Sequence, residues 1–235
     1  MPETPANIMQ STLPDRGWFA DCSPDLRREI LALARLKSLA AGSVVFRAGD
    51  VGGDLFRIVS GVVTVQCRFT HQDAVLMHMM WPGEWFGTME VMVERKRNYT
   101  AIARTEVTLL RMPGNELQEL LRRRPEGIIK LARHAVYGFD LAMQGAADLL
   151  IRDASARCAA VLLRLAGRRW DSGPEALLAV EIPAPQSELA MLCNVSRSTF
   201  SRVMQDFSRR QLVTLNYSSL TLNDPAQLRA VVEAG

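Results

Sequence analysis

Apolar positions along this chain change their spacing twice. From Asp25 to Leu39 they fall at Leu26, Ile30, Leu33 and Leu36, steps of four, three and three that predict a short amphipathic helix. The pattern then shortens. Val44–Phe46, Leu55–Val59, Val62–Val65, Ala74–Met80 and Ala101–Met112 are strand-like, separated by turn clusters at Ala48–Asp50, Gly52–Asp54, Ser60–Gly61, Thr70–Asp73 and Pro82–Gly83. Short strands punctuated by glycine predict a compact antiparallel barrel or roll. Residues 1–23, polar and broken by Pro2, Pro5 and Pro14, read as a mobile arm.

The helical period returns at Asn115–Leu121, breaks at Arg122-Arg-Arg-Pro125, and then holds for a long stretch. Ile128, Ala132, Ala135, Phe139, Ala142, Ala146 and Leu149 follow a 4-3 spacing over three heptads. Ile129, Val136, Met143 and Leu150 form a second stripe every seven residues. Such a helix, about 38 Å long for ~25 residues, can lay one stripe on its own domain and another on a partner. The unbroken heptad favours a homodimer built on residues 126–150 over a buried intrachain helix, and its alanines permit close approach. Asp153 is placed to cap a further helix over Ala154–Gly167. A basic loop over 167–174 leads to a strand at Leu177–Ile182.

Composition narrows the class. A chain of 235 residues with 48% hydrophobic and 23% charged residues suits two globular domains, and disordered or fibrous classes drop out. The longest apolar run, Val75–Trp81, is far short of a membrane span, and the start is not a signal peptide, so a soluble, cytoplasmic chain without membrane contact is expected. Cys22, Cys67, Cys158 and Cys193 lack metal-site spacing and read as isolated thiols. A net charge of +3 permits an acidic partner only through locally concentrated cations.

Such a concentration occurs at 186–205. Counting from Gln186, the fifth residue is Ala190, where two crossing helices admit only a small side chain. The ninth is Asn194, in a turn that needs positive φ. Leu189, Val195, Phe200 and Val203 supply the interhelical contacts, and Ser196 opens the second helix as its cap. Arg197, Ser198, Ser201 and Arg202 are left for solvent, followed by Arg209 and Arg210. Two arginines five apart on the first turns of such a helix have the fork geometry for guanine O6 and N7 in the major groove. Hydroxyl side chains beside them suit phosphate oxygens. Leu212–Leu215 and Ser219–Leu222 around Asn216-Tyr217 add a hairpin, which makes the module a winged helix. Helix-turn-helix dimers read inverted half-sites of duplex DNA, in keeping with the heptad.

This order resembles the bacterial transcription regulators of the cyclic-AMP receptor protein and fumarate–nitrate reductase regulator (Crp/Fnr) family. The likeness runs from Trp18 to Val232 and rests on Arg47–Gly61, which is similar to the family's paired roll turns, on Pro82-Gly-Glu-Trp-Phe-Gly87, and on Ser196–Arg202. It implies an α+β fold: an N-terminal antiparallel β-roll like a cyclic-nucleotide-binding jelly roll, a long dimerisation helix and a C-terminal winged helix-turn-helix. The expected divisions are 1–23, 24–124, 125–152 and 153–235. It also implies that Arg197, Ser198 and Arg202 read bases while Ser196 and Thr199 hold phosphates, and it admits RNA polymerase as a further partner. A glutamate is common in the family where Ser198 stands.

In members that bind cyclic nucleotides the cassette continues Gly-Glu-x(9)-Arg-Ser/Thr, the glutamate on the ribose hydroxyl and the arginine on the cyclic phosphate. Here Gly87-Thr88 and Asn98-Tyr99 stand in those places, with Arg95 and Arg97 offset. A one-residue slip on a strand turns a side chain to the opposite face. Ala142 and Met143 fall where adenine-contacting hydroxyl residues would lie. Gly87, Thr88, Met89, Asn98, Tyr99, Ala142 and Met143 are therefore the candidate pocket, and its make-up argues against cyclic AMP. An iron–sulfur cluster would need several cysteines near Cys22, and haem an axial Cys or His within Gly87–Glu90. His71, His78 and His134 have no metal-ligand spacing, so no metal is expected. Met77, Met79, Met80, Met89 and Met92 suit an adaptable core or a pocket for an apolar ligand, and the effector stays unidentified.

No hydrolase, metalloprotease, P-loop or dinucleotide motif occurs, so an enzyme is not expected. The competing reading is a ligand-sensing roll that acts through protein partners, with the winged helix as an interaction module.

Overall fold

The computed structural model describes residues 17–68, 74–93, 95–169 and 178–235. The chain forms two compact units, and the boundary between them falls at Asp140/Leu141, inside one continuous helix.

In the first unit a 3-10 turn at Gly17–Phe19 precedes α1 (Pro24–Leu33), which is capped by Ser23 and started by a proline at its first position. Strands β1 (Arg35–Leu39), β2 (Val44–Phe46), β3 (Leu55–Ser60), β4 (Val63–Cys67), β5 (Val75–Met80) and β6 (Trp85–Phe86) follow. A short helix, α2 (Thr88–Met92), separates them from β7 (Thr100–Ala103) and β8 (Val107–Met112), and α3 (Gly114–Arg123) leads into α4 (Pro125–Leu150). The strands pair into two antiparallel four-stranded sheets, β1-β8-β3-β6 and β2-β7-β4-β5. At Gly61, with φ +82°, a Cβ would collide with the Glu106 carbonyl, so the β3–β4 turn requires glycine.

Strand alternation divides the first sheet between two cores. Phe56, Ile58, Phe86, Val107 and Leu109 point into the roll, where Val45, Phe46, Val63 and Met80 meet them. Their neighbours Leu55, Trp85, Leu110 and Met112 point the other way, into a cluster with Leu26 and Ile30 of α1, Leu117 and Leu120 of α3 and Leu131 of α4. Period-two alternation of the strands thus supplies both faces with apolar side chains.

Several expectations need correction. Trp18 and Phe19 are each 2% exposed and Cys22 is also buried, so the arm expected over 1–23 is built into the core from Trp18 onward. Their rings lie 5.1 and 5.4 Å from that of Trp85, and this aromatic burial outweighs the polar run before them. The helix expected over Asp25–Leu39 stops at Leu33. Ala34 is extended, and Arg35–Leu39 pairs along its length with Val107–Arg111 of β8, which leaves Leu36 exposed. Ala101–Met112 is two strands broken at 104–106, and the strand expected from Leu177 begins at Val180. The turn expected at Thr70–Asp73 lies outside the described residues. No helix among the described residues is long and apolar enough to cross a membrane.

In the second unit the end of α4 is followed by Asp153, whose side chain accepts the Ala156 N–H and caps α5 (Ala154–Leu165). Next come β9 (Val180–Ile182), α6 (Gln186–Leu192), α7 (Arg197–Arg209), β10 (Val213–Leu215), β11 (Leu220–Leu222) and α8 (Pro225–Ala234). The three strands form one sheet in the order β10-β11-β9, so the wing carries a third strand that the spacing had not placed with it. Leu162, Phe200, Met204, Phe207, Leu212, Leu220 and Leu228 are fully or almost fully buried.

A buried carboxylate in this unit is met twice. Asp148 of α4 accepts from Arg164 of α5 at 3.2 Å and from Arg169 at 3.3 Å, with the Asp148 and Arg164 side chains 3% and 7% exposed. Removing the carboxylate would strand a buried guanidinium, a loss of about 3–5 kcal/mol. Asp148→Ala should therefore lower hydrogen-exchange protection in α5 and α7 while leaving the roll strands unchanged. Unaltered protection in α5 would show that the pair stabilises nothing.

Candidate nucleic-acid interface and effector cassette

The helix-turn-helix is held by the residues its spacing predicted. Ala190 is 3% exposed at the helix crossing, and Asn194 takes φ +50° in the turn. The turn closes through the Asn194 N–H to the Met191 carbonyl at 3.0 Å and the Val195 N–H to that of Ala190 at 3.2 Å. Leu189, Phe200 and Val203 are buried and Val195 half-buried. Ser196 is extended, and its Oγ accepts the Thr199 N–H at 3.1 Å while also meeting the hydroxyls of Ser198 and Thr199.

The cap settles which face of α7 remains outside. Arg197, Ser198 and Arg202 are exposed, with Thr199 and Ser201 half-buried beside them. Arg209 and Arg210 both lean on Asp206, at 3.2 and 3.6 Å, whereas Arg197 and Arg202 form no ion pair among the described residues. The free cations thus lie on the first two turns, beside a helix N-terminus that itself favours anions. Tyr217 stands fully exposed at the tip of the β10–β11 hairpin.

Two supports of this module were not read from the sequence. Arg157 of α5 donates from Nε to the Cys193 carbonyl at 2.9 Å, fixing the end of α6. Cys158 and Cys193, both fully buried free thiols, lie close enough for a thiol–thiol hydrogen bond that the spacing did not indicate. That bond lowers the Cys158 thiol and, together with burial, pushes Cys193 well up. Thirty-five residues separate them, and only the packing of α5 against the turn after α6 brings them together.

The cassette of the first unit begins at β6 and turns at Gly87, with φ +89°. A Cβ there would stand 2.6 Å from the Asp54 carbonyl oxygen and 2.9 Å from Arg97 Nη1. Glycine is thus required by both the conformation and the close approach of an arginine. Arg97 is 5% exposed. It donates from Nη1 to Glu90 Oε2 at 2.7 Å and from Nη2 to the Asp54 carbonyl at 2.7 Å, and its guanidinium carbon lies 4.2 Å from the Phe46 ring centroid.

The residues expected to form the pocket are only partly assembled. Thr88 is 5% exposed and Tyr99 sits edge-on to Phe46, where burial, reinforced by the Glu90 carboxylate, pushes its phenol up. Met89 and Asn98 face outward. Ala142 and Met143 are exposed and lie beyond the unit boundary. The guanidinium that counting had placed off register is therefore the one inside, and Asn98 is the one outside. Glu90, its partner, carried no signal beyond its charge on a short helix. His134 of α4 donates from Nε2 to the Trp85 carbonyl at 3.0 Å and stacks on Tyr137; burial lowers its pKa and favours the neutral ring. Among the described residues no His, Cys, Asp and Glu cluster could hold a metal.

Residues 36–124 match the family model of the cyclic nucleotide-binding domain, and residues 156–231 that of the Crp-like helix-turn-helix domain. A CRP-like cAMP-activated global transcriptional regulator of Mycobacterium tuberculosis is 27% identical over 220 residues, covering 94% of this chain and 98% of its own length. A cyclic AMP receptor protein of Thermus thermophilus is 28% identical, covering 81% and 84%. The solved structure of a CRP/FNR-family transcriptional regulator from Thermus thermophilus superposes with a TM-score of 0.63 at 27% identity, over 85% of this chain and 98% of that one.

The cassette entrance also carries a titrating group. Burial pushes the Glu84 carboxyl up from 4.5 to about 7, against the opposing hydrogen bond its Oε2 accepts from the Trp81 N–H at 3.0 Å. A carboxyl more basic in the fold than in the unfolded chain makes the folded state bind more protons between about pH 4.5 and pH 7. Its contribution to stability is therefore present at low pH and lost as pH rises through that window. Urea unfolding at intervals from pH 5 to 7.5 should show this decline in the wild type and a flatter profile in Glu84→Gln. Parallel profiles would mean Glu84 is ionised freely in the fold.

Proposed function

Because the chain belongs to the Crp/Fnr family of transcription regulators, whose helix-turn-helix binds DNA, we propose that it acts as a homodimer reading two inverted half-sites with α7. Arg197 and Arg202 make the base contacts, Ser198 and Ser201 flank them, and Ser196 and Thr199 lie against phosphate. The observation that carries this reading is the pair of arginines free of ion pairs on the exposed first turns of a serine-capped helix. Their reach and donor geometry match the O6 and N7 acceptors of guanine, and the neighbouring hydroxyls match phosphate oxygens.

The dimer reading rests on α4. Ile129, Val136, Phe139 and Met143 are between 55% and 61% exposed and Leu150 is 81% exposed, on a helix of 26 residues. Apolar side chains repeated along a whole helix face are costly in water, and a second copy of the same helix offers a matching heptad.

The roll is the input, and cyclic AMP is not its signal. The relative from Mycobacterium tuberculosis is described as cAMP-activated. In this chain Thr88 stands where a ribose-binding carboxylate would be needed, and Arg97 is already engaged by Glu90 and the Asp54 carbonyl. These residues do not fit a cyclic phosphate.

Two outcomes test the reading. Binding-site selection from random duplex DNA should yield a paired inverted motif, with each bidentate arginine–guanine contact supplying about 1–3 kcal/mol of discrimination. Arg202→Ala should relax preference at one base in each half-site, while Thr199→Ala weakens all sequences about equally. If Arg197→Ala and Arg202→Ala both retain the selected site and its affinity, α7 is not the reading element. In addition, Phe139→Asp places a charge at the centre of the stripe, where association would desolvate it at a cost of several kcal/mol. Sedimentation at micromolar concentration should then change from dimer to monomer, and an unchanged dimer would remove α4 from the interface.

A further inference from the structure

Inside the cassette the chain supplies an anion of its own. The side chains of Arg97 and Glu90 are 3% and 1% exposed and 2.7 Å apart. A guanidinium so far from water needs a counter-charge, and Glu90 meets it on the side turned toward α2. The remaining contacts of Arg97 are the Asp54 and Gly87 carbonyls and the face of Phe46, none of which carries a full charge. Arg95 approaches the other oxygen, Glu90 Oε1, at 3.9 Å, beyond hydrogen-bond distance. Glu90 Oε1 and Thr88 Oγ1 are both buried with no hydrogen-bond partner.

We propose that Glu90 is an internal counter-anion that occupies the place of an effector phosphate at Arg97, closing the roll site to phosphate-bearing ligands, and that removing it opens an anion site there. This deepens the proposed function and rests on its reading that the roll does not take cyclic nucleotides. The physical reason is competition for one guanidinium. A phosphate reaching Arg97 would either share it with a carboxylate, burying two anions against one cation, or expel Glu90 from a cassette helix only five residues long. Neither route is open to a ligand whose own charge is the repelled one. The orphan acceptor Glu90 Oε1 points the same way, because it suits a neutral or cationic ligand that donates hydrogen bonds and not one that only accepts them, whereas the Thr88 hydroxyl can serve either.

The test uses the full chain, with cyclic AMP and inorganic phosphate as probes at matched ionic strength. Calorimetry and thermal melts are run on the wild type, Arg97→Gln, Glu90→Ala, Glu90→Gln and the double variant Glu90→Ala/Arg97→Gln. The wild type should show no saturable binding of either probe. Glu90→Ala should bind cyclic AMP at least tenfold more tightly than the wild-type detection limit and melt at higher temperature with phosphate than with chloride. Both gains should vanish in the double variant. Glu90→Gln keeps shape and a hydrogen bond while removing the charge, so it should show a smaller gain and serves as the test if Glu90→Ala does not fold. Folded Glu90 variants that gain nothing would overturn the proposal while leaving the cyclic-nucleotide reading intact. Tight binding of cyclic AMP by the wild type, abolished in Arg97→Gln, would instead overturn that reading and the proposal with it.

Discussion

Arg97 in the roll and Arg164 in the C-terminal unit are each taken out of water against a carboxylate, and each such meeting fixes a segment of its unit. In the roll, Arg97 lies under Phe46 and against Glu90, and the turn at Gly87 exists in the form it does because a Cβ would stand in the way of that arginine. In the C-terminal unit, Asp148 draws in Arg164 and Arg169, which fastens the end of α4 to α5. Neither pair is strong evidence of net stabilisation, since desolvation offsets much of the Coulomb gain. What such pairs supply is geometry. Each fixes a short segment whose position matters to its unit: the cassette helix in one, the approach to the helix-turn-helix in the other.

The complementary features are charges and apolar surfaces left unmet. Arg197 and Arg202 remain in solvent, where a guanidinium costs little, and they can take a polyanion without first breaking a protein contact. Arg209 and Arg210, about two helix turns beyond Arg202, are partly neutralised by Asp206, so the free positive charge is concentrated at the N-terminal turns. This is the distribution a groove-reading helix needs, because its first turns approach the base edges. The stripe of α4 is unmet in the same sense. Its residues gain by leaving water, and the heptad makes the same helix in a second copy a suitable cover.

Much of this was legible in the sequence wherever structure is decided locally. Asn194 announces its left-handed turn, Ser196 and Asp153 announce their caps, and the period of α4 survives because a helix depends on neighbours three and four residues away. Spacing misleads where distant segments decide. Leu36 fits a helix by spacing, yet it is held as strand by pairing with Leu110, seventy-four positions on. Trp18 and Phe19 follow a polar, proline-containing segment, and the distant core around Trp85 gives them a place. In the cassette, counting along a fixed motif put Asn98 where a guanidinium belongs, while the chain between α2 and β7 brings Arg97 inward instead. A slip of one residue is invisible to spacing, and in the irregular segment ahead of β7 it exchanges the inside for the outside.

Burial of Trp85 joins these local choices within the first unit. Its ring belongs to the helix-covered core with Trp18 and Phe19, and its neighbour Phe86 belongs to the roll interior. Its carbonyl accepts from His134 of α4, and two residues later the chain turns at Gly87 over Arg97. A change at Arg97 that moved Gly87 would therefore act on a strand of two residues clamped from both faces and hydrogen-bonded to the long helix. Burial lowers the pKa of His134 and its acceptor is an uncharged carbonyl, so this link is a hydrogen bond whose strength depends on position more than on salt. A cassette holding its own counter-anion keeps that position fixed in the absence of any ligand. A signal acting through this roll, as proposed, would meet a contact already made there, and that contact carries negative charge.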